Sequence, residues 1–343
     1  VNVKNIRFID EAQSKAGLGF RELVDALAAG FPVGCEAPLR HHHVIASPGQ
    51  PDSTLLLMPA WDSVAGPGRL LGVKLVTVYP GNTAKRLPGL ASTYLLFDAD
   101  TGQEVALIDG NVITARRTAA TAALGARFLS RVDAGTLLLF GAGRVASLVP
   151  EAMRTVRPIE RVMIWDIRRD SAASLAGELK RQGFETSIVD DVQAAVASAD
   201  IVSAATLATE PLFDGDWVRP GTHVDLIGSF TPKMREADDR LIAKAALYVD
   251  TLDALHETGD LIQPIEAGAI DANHIRGTIA DLCRGTVVGR SNDRDITLFK
   301  AVGSSLADLI TARLIYHSLP YETPVVSPTH GLCADRPAID EVT

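Results

Sequence analysis

The run Leu137-Leu138-Leu139-Phe140 leads into Gly141-Ala142-Gly143-Arg144-Val145-Ala146, a GxGxxA pattern. An apolar strand meeting such a turn is built for phosphate. Gly141 permits the tight turn, Gly143 lets backbone approach a pyrophosphate, and Ala146 allows close helix–strand packing. A helix opening after the turn offers free N–H groups and the positive end of its dipole to the same phosphates. Gly141, Ala142, Gly143, Arg144 and Val145 are therefore the expected cofactor contacts.

An acidic residue, Asp166, ends the next apolar run, Val162–Trp165. A carboxylate there would take a ribose 2′-OH and favour NADH. Arg168 and Arg169 follow at once, and either would pair with a 2′-phosphate and favour NADPH. These residues leave the choice between NADPH and NADH open. His41-His42-His43 raises the question of a metal. Consecutive strand residues alternate faces, so adjacent imidazoles do not readily share one ion, and no acidic or cysteine cluster lies nearby. No metal is expected.

These residues need a frame. From Gly135 onward apolar runs at Thr136–Phe140, Arg161–Trp165, Glu185–Val189, Ile201–Ala205, Val224–Ile227 and Leu247–Val249 alternate with helical stretches near 171–182 and 192–197. That alternation predicts an α/β Rossmann fold with a doubly wound parallel sheet. Before it, a helix at 21–29 and strands at Leu55–Met58, Leu70–Tyr79, Ser92–Asp98 and Val105–Ile108 are joined by short turns, which predicts a mainly antiparallel sheet in an α+β domain. The Ala-rich stretch from Thr114 to about Ser130 reads as a helix. Ile296–Ile315 reads as a helical return segment, and the tail after Ser318 as extended. The expected division is a substrate-binding and dimerisation domain from 1–122 and 305–343, and a nucleotide domain from 123–304.

Composition agrees with this frame. Of 343 residues, 47% are hydrophobic and only 5% aromatic, so the core must be built from small aliphatics. A formal net charge of −9 argues against a nucleic-acid groove. Cys35, Cys283 and Cys333 lie far apart and form no CxxC, which argues against a disulfide framework and for the cytoplasm. No apolar run is long enough for a membrane span, and the first residues given lack the apolar stretch of a signal peptide.

Several segments in order resemble the ornithine cyclodeaminase/mu-crystallin family: Pro38-Leu39-Arg40, Met58-Pro59-Ala60, Gly72-Val73-Lys74-Leu75-Val76, Pro88-Gly89-Leu90, Asp109-Gly110, Thr114-Ala115-Arg116-Arg117-Thr118-Ala119-Ala120, the glycine turn, and Ile296-Thr297-Leu298-Phe299-Lys300. The resemblance implies a homodimer that binds a small α-amino or α-imino acid beside a nicotinamide. Matched motif to motif, it implies that Arg40, Lys74 and Arg117 are the carboxylate-binding and catalytic cations, with His41 beside Arg40. Fixed guanidinium and ammonium donors suit a small carboxylate. Lys74 lies in an apolar strand, where a buried ammonium demands a partner. Arg116 would point about 100° away from Arg117 on a helix and serve elsewhere.

Within that family, members that eliminate ammonia from ornithine carry an aspartate shortly after the glycine matching Gly228. Here Ser229 and Phe230 follow it. The run Gly228-Ser229-Phe230-Thr231-Pro232-Lys233-Met234-Arg235-Glu236 resembles instead the branch that reduces cyclic ketimines, Δ1-pyrroline-2-carboxylate to L-proline and Δ1-piperideine-2-carboxylate to L-pipecolate. The expected activity is thus NAD(P)H-dependent ketimine reduction, in proline metabolism. Its rivals are ornithine cyclodeamination, NAD-dependent amino-acid dehydrogenation, and a non-catalytic crystallin-like binding protein. Thr206, Gly228 and Ser229 are expected at the cofactor, with Thr297–Lys300 a further candidate. Asp225 and His223 read as structural, Asp225 satisfied by backbone.

Overall fold

A computed structural model describes residues 6–85 and 87–319. The chain builds two sheets. The first contains β1 (Arg7–Ile9), β2 (His41–Ile45), β3 (Ser53–Trp61), β4 (Leu70–Val78), β5 (Leu90–Asp98) and β6 (Glu104–Asp109), in the order β1-β6-β5-β4-β3-β2. All its pairings are antiparallel except β1 with β6. Alternation decides its faces: Leu56, Met58 and Ala60 on β3 and Leu70, Gly72, Lys74 and Val76 on β4 are buried, while the residues between them are half-buried. The helices Gly110–Leu129 and Ser305–Ser318 lie over the buried face, and the helix Phe20–Val33 packs against both of them.

The second sheet is parallel throughout. It contains β7 (Thr136–Phe140), β8 (Arg161–Trp165), β9 (Glu185–Ile188), β10 (Ile201–Ala204), β11 (His223–Leu226), β12 (Ala246–Val249), β13 (Ile275–Thr278) and β14 (Thr297–Lys300), in the order β13-β12-β14-β11-β10-β7-β8-β9. From β7 the chain winds outward through β8 and β9, then returns to the other side of β7 with β10 and β11. This reversal opens a crevice beyond the carboxyl ends of β7 and β10, where doubly wound sheets bind their ligands. Leu137, Leu138, Leu139 and Phe140 on β7 are fully buried, as expected for a strand covered on both faces.

One segment departs from the sequence reading. Ile296–Ile315 is not a continuous helix, because Thr297–Lys300 is a strand inserted between β12 and β11. A short apolar run buried on both sides carries no period that separates strand from helix. Gly303, at φ +85°, then breaks the chain before the helix Ser305–Ser318 begins. The expected tail lies mostly outside the described residues, as does Cys333.

The helix Gly110–Leu129 joins the two sheets, and the boundary expected at residue 122 falls inside it. Asp109 caps it by accepting the Val112 N–H at 2.8 Å. Gly110 is needed because a Cβ there would lie 2.7 Å from the backbone of Ser92 and Thr93. At the far end Gly125 lets the helix settle onto Phe299 of β14, where a Cβ would lie 2.7 Å from the ring. Both residues sit in the fully buried core, so the ring has no room to retreat. Gly125→Val is therefore expected to destabilise the protein by about 1–3 kcal/mol through overpacking. The check is the urea midpoint, and an unchanged midpoint would contradict this packing.

Candidate active site

Between the sheets lies a cavity of about 250 Å³. Arg40, Lys74 and Arg117 line it, with Leu56, Met58, Val76 and Leu90 on the side of the first sheet and Val145, Ala205, Thr206, Ile227, Gly228 and Phe230 on the side of the second. The loop Ala301–Gly303 closes its floor. Among the described residues that line it, the three cations are the only ionisable groups.

The cations come from three elements and are held by two carboxylates. Lys74 points inward from β4 and its Nζ lies 2.6 Å from Asp308 Oδ2. Arg117, two turns into the helix Gly110–Leu129, places Nε 2.9 Å from Asp308 Oδ1. Asp308 and Lys74 are essentially out of water. Burial works to raise the Asp308 carboxyl, but Lys74 and Arg117 outweigh it and hold it below the usual carboxylate range. Burial pulls the Lys74 ammonium down to about 8: Asp308 opposes that shift, and the charges of Arg117 and Arg40 reinforce it. Arg40 stands just before β2. One of its terminal nitrogens lies 2.7 Å from Glu257 Oε2 and donates to the Gly303 carbonyl at 2.9 Å. Burial raises Glu257 to about 7 against the pull of Arg40.

The loop at 301–303 is itself fixed. The buried Asp250 accepts the N–H of Val302 at 3.1 Å and of Gly303 at 2.7 Å. The Arg117 guanidinium lies against Gly303, where a Cβ would stand 2.4 Å from its nitrogen. Gly72 plays a similar part beside Lys74, leaving space that the hydroxyl of the buried Tyr94 occupies. Arg116 turns away to the Leu18 carbonyl and the Phe20 ring, as helical geometry requires.

The glycine turn borders the same crevice. Gly141 has φ +104°, and a Cβ there would lie 2.8 Å from the Ala205 carbonyl. A Cβ on Gly143 would meet nothing within 4 Å, so its backbone faces open space, and Arg144 beside it is exposed. A bare backbone turn open to the crevice fits a dinucleotide pyrophosphate. The expected helix after the turn is a 3₁₀ turn at Ala146–Leu148 followed by the helix Val149–Arg154. Asp166 accepts the Ala142 N–H and the Arg168 N–H, each at 2.8 Å. Arg168 is exposed, its Nε 3.8 Å from Asp166, and Arg169 pairs with Asp190.

Four expectations need correction. His41 is exposed and does not line the cavity; cross-strand register places it with Leu57, whereas His42 shares the face of Leu56. Ser229 is fully buried, its hydroxyl donating to the Met234 carbonyl at 2.7 Å and meeting Thr258 Oγ1 at 2.6 Å, so Phe230 faces the cavity instead. Thr297–Lys300 is core: Thr297 donates to the Leu129 carbonyl and Lys300 pairs with Asp260 at 3.0 Å. Asp225 accepts from the Ser203 hydroxyl at 2.9 Å rather than from backbone, and burial raises it to about 7. His223 is structural, buried beside Thr297 Oγ1 at 3.0 Å. Sequence reasoning missed Asp308, Glu257, Asp250 and Glu236. A lone acid in the otherwise apolar opening of the helix Ser305–Ser318 was the one available signal for Asp308.

Two buried cations on one carboxylate make Asp308 costly to remove. Asp308→Asn is expected to destabilise the protein by about 3–5 kcal/mol, because it leaves uncompensated buried charge. Adding Lys74→Met should recover part of that loss. Denaturant melts of the double-mutant cycle measure this, and strictly additive losses would show that the two residues are not coupled.

Comparison with known proteins gives a consistent answer. Residues 20–322 match the ornithine cyclodeaminase/mu-crystallin family. The chain is 40% identical over 311 residues to a Delta(1)-pyrroline-2-carboxylate reductase of Paracoccus denitrificans, covering 90% of this chain and 96% of that protein. It is 35% identical over 264 residues to the ketimine reductase mu-crystallin of Rattus norvegicus, covering 76% and 79%. Its fold superposes with TM-score 0.84 and 33% identity on Thermococcus litoralis Delta(1)-pyrroline-2-carboxylate reductase in complex with NADH and L-proline, covering 91% of this chain and 96% of that one. A match spanning most of the chain, over a two-sheet fold with three cations between the sheets, places this protein in the ornithine cyclodeaminase/mu-crystallin family.

Proposed function

We propose that this protein is an NAD(P)H-dependent ketimine reductase, converting Δ1-pyrroline-2-carboxylate to L-proline and Δ1-piperideine-2-carboxylate to L-pipecolate. The observation that carries the reading is the cavity wall: three cations, the threonines Thr114, Thr118 and Thr206, apolar side chains and, among the described lining residues, no carboxylate. Arg40, Lys74 and Arg117 line the cavity while their partners Asp308 and Glu257 do not, which suits one substrate carboxylate. Ornithine cyclodeamination requires a base at the substrate nitrogen, and Phe230 supplies none where the aspartate of those relatives would stand.

When bound, the nicotinamide supplies a hydride to C2 of the C=N bond. The chain's own residues bind, orient and exclude water. Arg117 and Arg40 hold the carboxylate with directed guanidinium donors, and Lys74 adds a buried ammonium beside it. That anchorage turns C2 toward the crevice between β7 and β10. Leu56, Met58, Val76 and Phe230 cover the ring and keep water from it. Protonating the ring nitrogen makes C2 more electrophilic, and Lys74, with a pKa near 8, is the candidate proton source or orienter of a water.

Asp166 favours NADH. Its carboxylate sits at the end of β8 where a 2′-phosphate would meet negative charge, and Arg168 and Arg169 are already turned toward Asp166 and Asp190. The uncovered face of the first sheet, with Leu55, Leu57, Trp61, Val73, Leu75 and Phe97 half-buried, supports a homodimer formed through that face. Among the described residues no helix is long and apolar enough to cross a membrane. With scattered unpaired thiols at Cys35 and Cys283, the proposed location is the cytoplasm.

The test is cofactor oxidation at 340 nm with both imino acids. NADH-dependent turnover exceeding that with NADPH is expected; the reverse would give the ribose end to Arg168, and no oxidation with either would sink the reductase reading. Lys74→Met and Arg117→Ala should each cut kcat/KM by roughly 100-fold or more. Wild-type values in both variants would refute their roles. Because the Lys74 charge is lost as pH rises through about 8, KM for the imino acid should climb above that pH in the wild type. A KM that stays flat well above that pH would remove Lys74 from carboxylate binding.

A further inference from the structure

Glu236 is fully buried in the loop between β11 and the helix Asp239–Lys244. Its Oε1 accepts from the Thr206 N–H at 2.7 Å and the Thr206 hydroxyl at 2.9 Å. Its Oε2 accepts from the Gly228 N–H at 2.9 Å and the Ser229 N–H at 3.2 Å. The donors belong to two loops, one leaving β10 and one leaving β11. Both loops border the cavity, through Ala205 and Thr206 on one side and Gly228 and Phe230 on the other. Four donors fill the acceptor capacity of one carboxylate, and bonds to a charged acceptor are the strong ones.

The clamp is anchored from behind. The Glu236 N–H donates to Asp260 Oδ1 at 2.7 Å, and Asp260 Oδ2 lies 3.0 Å from Lys300 at the end of β14. Asp260 is the direct ion-pair partner of Lys300, whose charge also opposes the rise that burial imposes on the Glu236 carboxyl. All four hydrogen bonds of the Glu236 carboxylate go to the two loops. Ordinary packing does not explain Gly228. A Cβ there would stand 2.3 Å from Glu236 Oε1 and 2.2 Å from the Thr206 carbonyl, so the two loops approach each other more closely than a side chain permits.

We propose that Glu236 is a positioning residue for hydride transfer. It sets the separation of the loops at 205–207 and 227–230, and so the shape of the cofactor-facing wall that stands across the cavity from Lys74 and Arg117. This rests on the reductase reading above. Glu236 bonds the two loops and not the glycine turn itself, although Gly141 of that turn lies against Ala205, so Glu236 is expected to govern alignment more than binding.

Glu236→Gln keeps the volume but brings an amide NH₂ toward backbone N–H groups. Its kcat per NADH-binding site is expected to fall roughly 100-fold, as small misplacements at a reacting centre do. KM for Δ1-pyrroline-2-carboxylate and Kd for NADH should stay within about threefold, the pattern of an interaction expressed in the transition state. The primary isotope effect with C4-deuterated NADH should rise, which a mere loss of folded protein does not produce. Amide exchange at Thr206, Gly228 and Ser229 should quicken together. Glu236→Asp retains charge without reach and should not restore kcat; full restoration would reduce Glu236 to a counter-charge and overturn the proposal, as would an unchanged isotope effect and exchange in the Gln variant. If that variant does not fold, Thr206→Val removes one donor and should quicken amide exchange at Gly228 and Ser229, and unchanged exchange there counts equally against the clamp. Should the wild type reduce no imino acid, the reductase reading fails, while amide exchange in the variants still decides whether Glu236 holds the two loops.

Discussion

One carboxylate with two cations organises this molecule. Asp308 is fully buried, and Lys74 and Arg117 reach it from a strand and a helix far apart in sequence. None of the three would tolerate that burial alone, because an isolated charge in a low-dielectric interior is expensive. Together they tie the first sheet, the helix that joins the sheets and the helix Ser305–Ser318 into one wall. The same pattern appears nearby in Arg40 with Glu257 and in Asp250 with the backbone of Val302 and Gly303. What the cavity offers a ligand is Arg40, Lys74 and Arg117, since their carboxylate partners do not line it.

The opposite wall follows a different rule. There the reversal of strand order between β7 and β10 opens a crevice, and backbone rather than side-chain charge faces it. Gly141 and Gly143 keep it bare, and Gly228 allows two loops to close together. Charge is placed behind this wall, in Glu236, Asp260 and Lys300, where it fixes geometry instead of meeting ligand. Side-chain cations on one wall and bare backbone on the other is the division of labour the two sheets impose.

Much of this was legible in residue order. The strands at Thr136–Phe140 and Arg161–Trp165 carry clear apolar runs ended by glycine or acid, and local signals of that kind survive folding unchanged. The cations were legible because the resemblance pointed to Arg40, Lys74 and Arg117. Their partners were not: Asp308 and Glu257 lie far along the chain from the cations they serve, 191 residues in the case of Arg117 and Asp308, and no spacing rule links such residues. Thr297–Lys300 was misread for a similar reason, since only its neighbours β11 and β12 make it a strand. Ser229 and Phe230 show the limit at single-residue scale, where the backbone alone decides which of two adjacent side chains faces the ligand.

The most direct test is a crystal structure of the complex with oxidised cofactor and L-proline. The proline carboxylate should lie on Lys74, Arg117 and Arg40, with C2 facing the nicotinamide across the crevice between β7 and β10. A carboxylate bound away from these three residues, or a ring turned with C2 from the cofactor, would contradict the account.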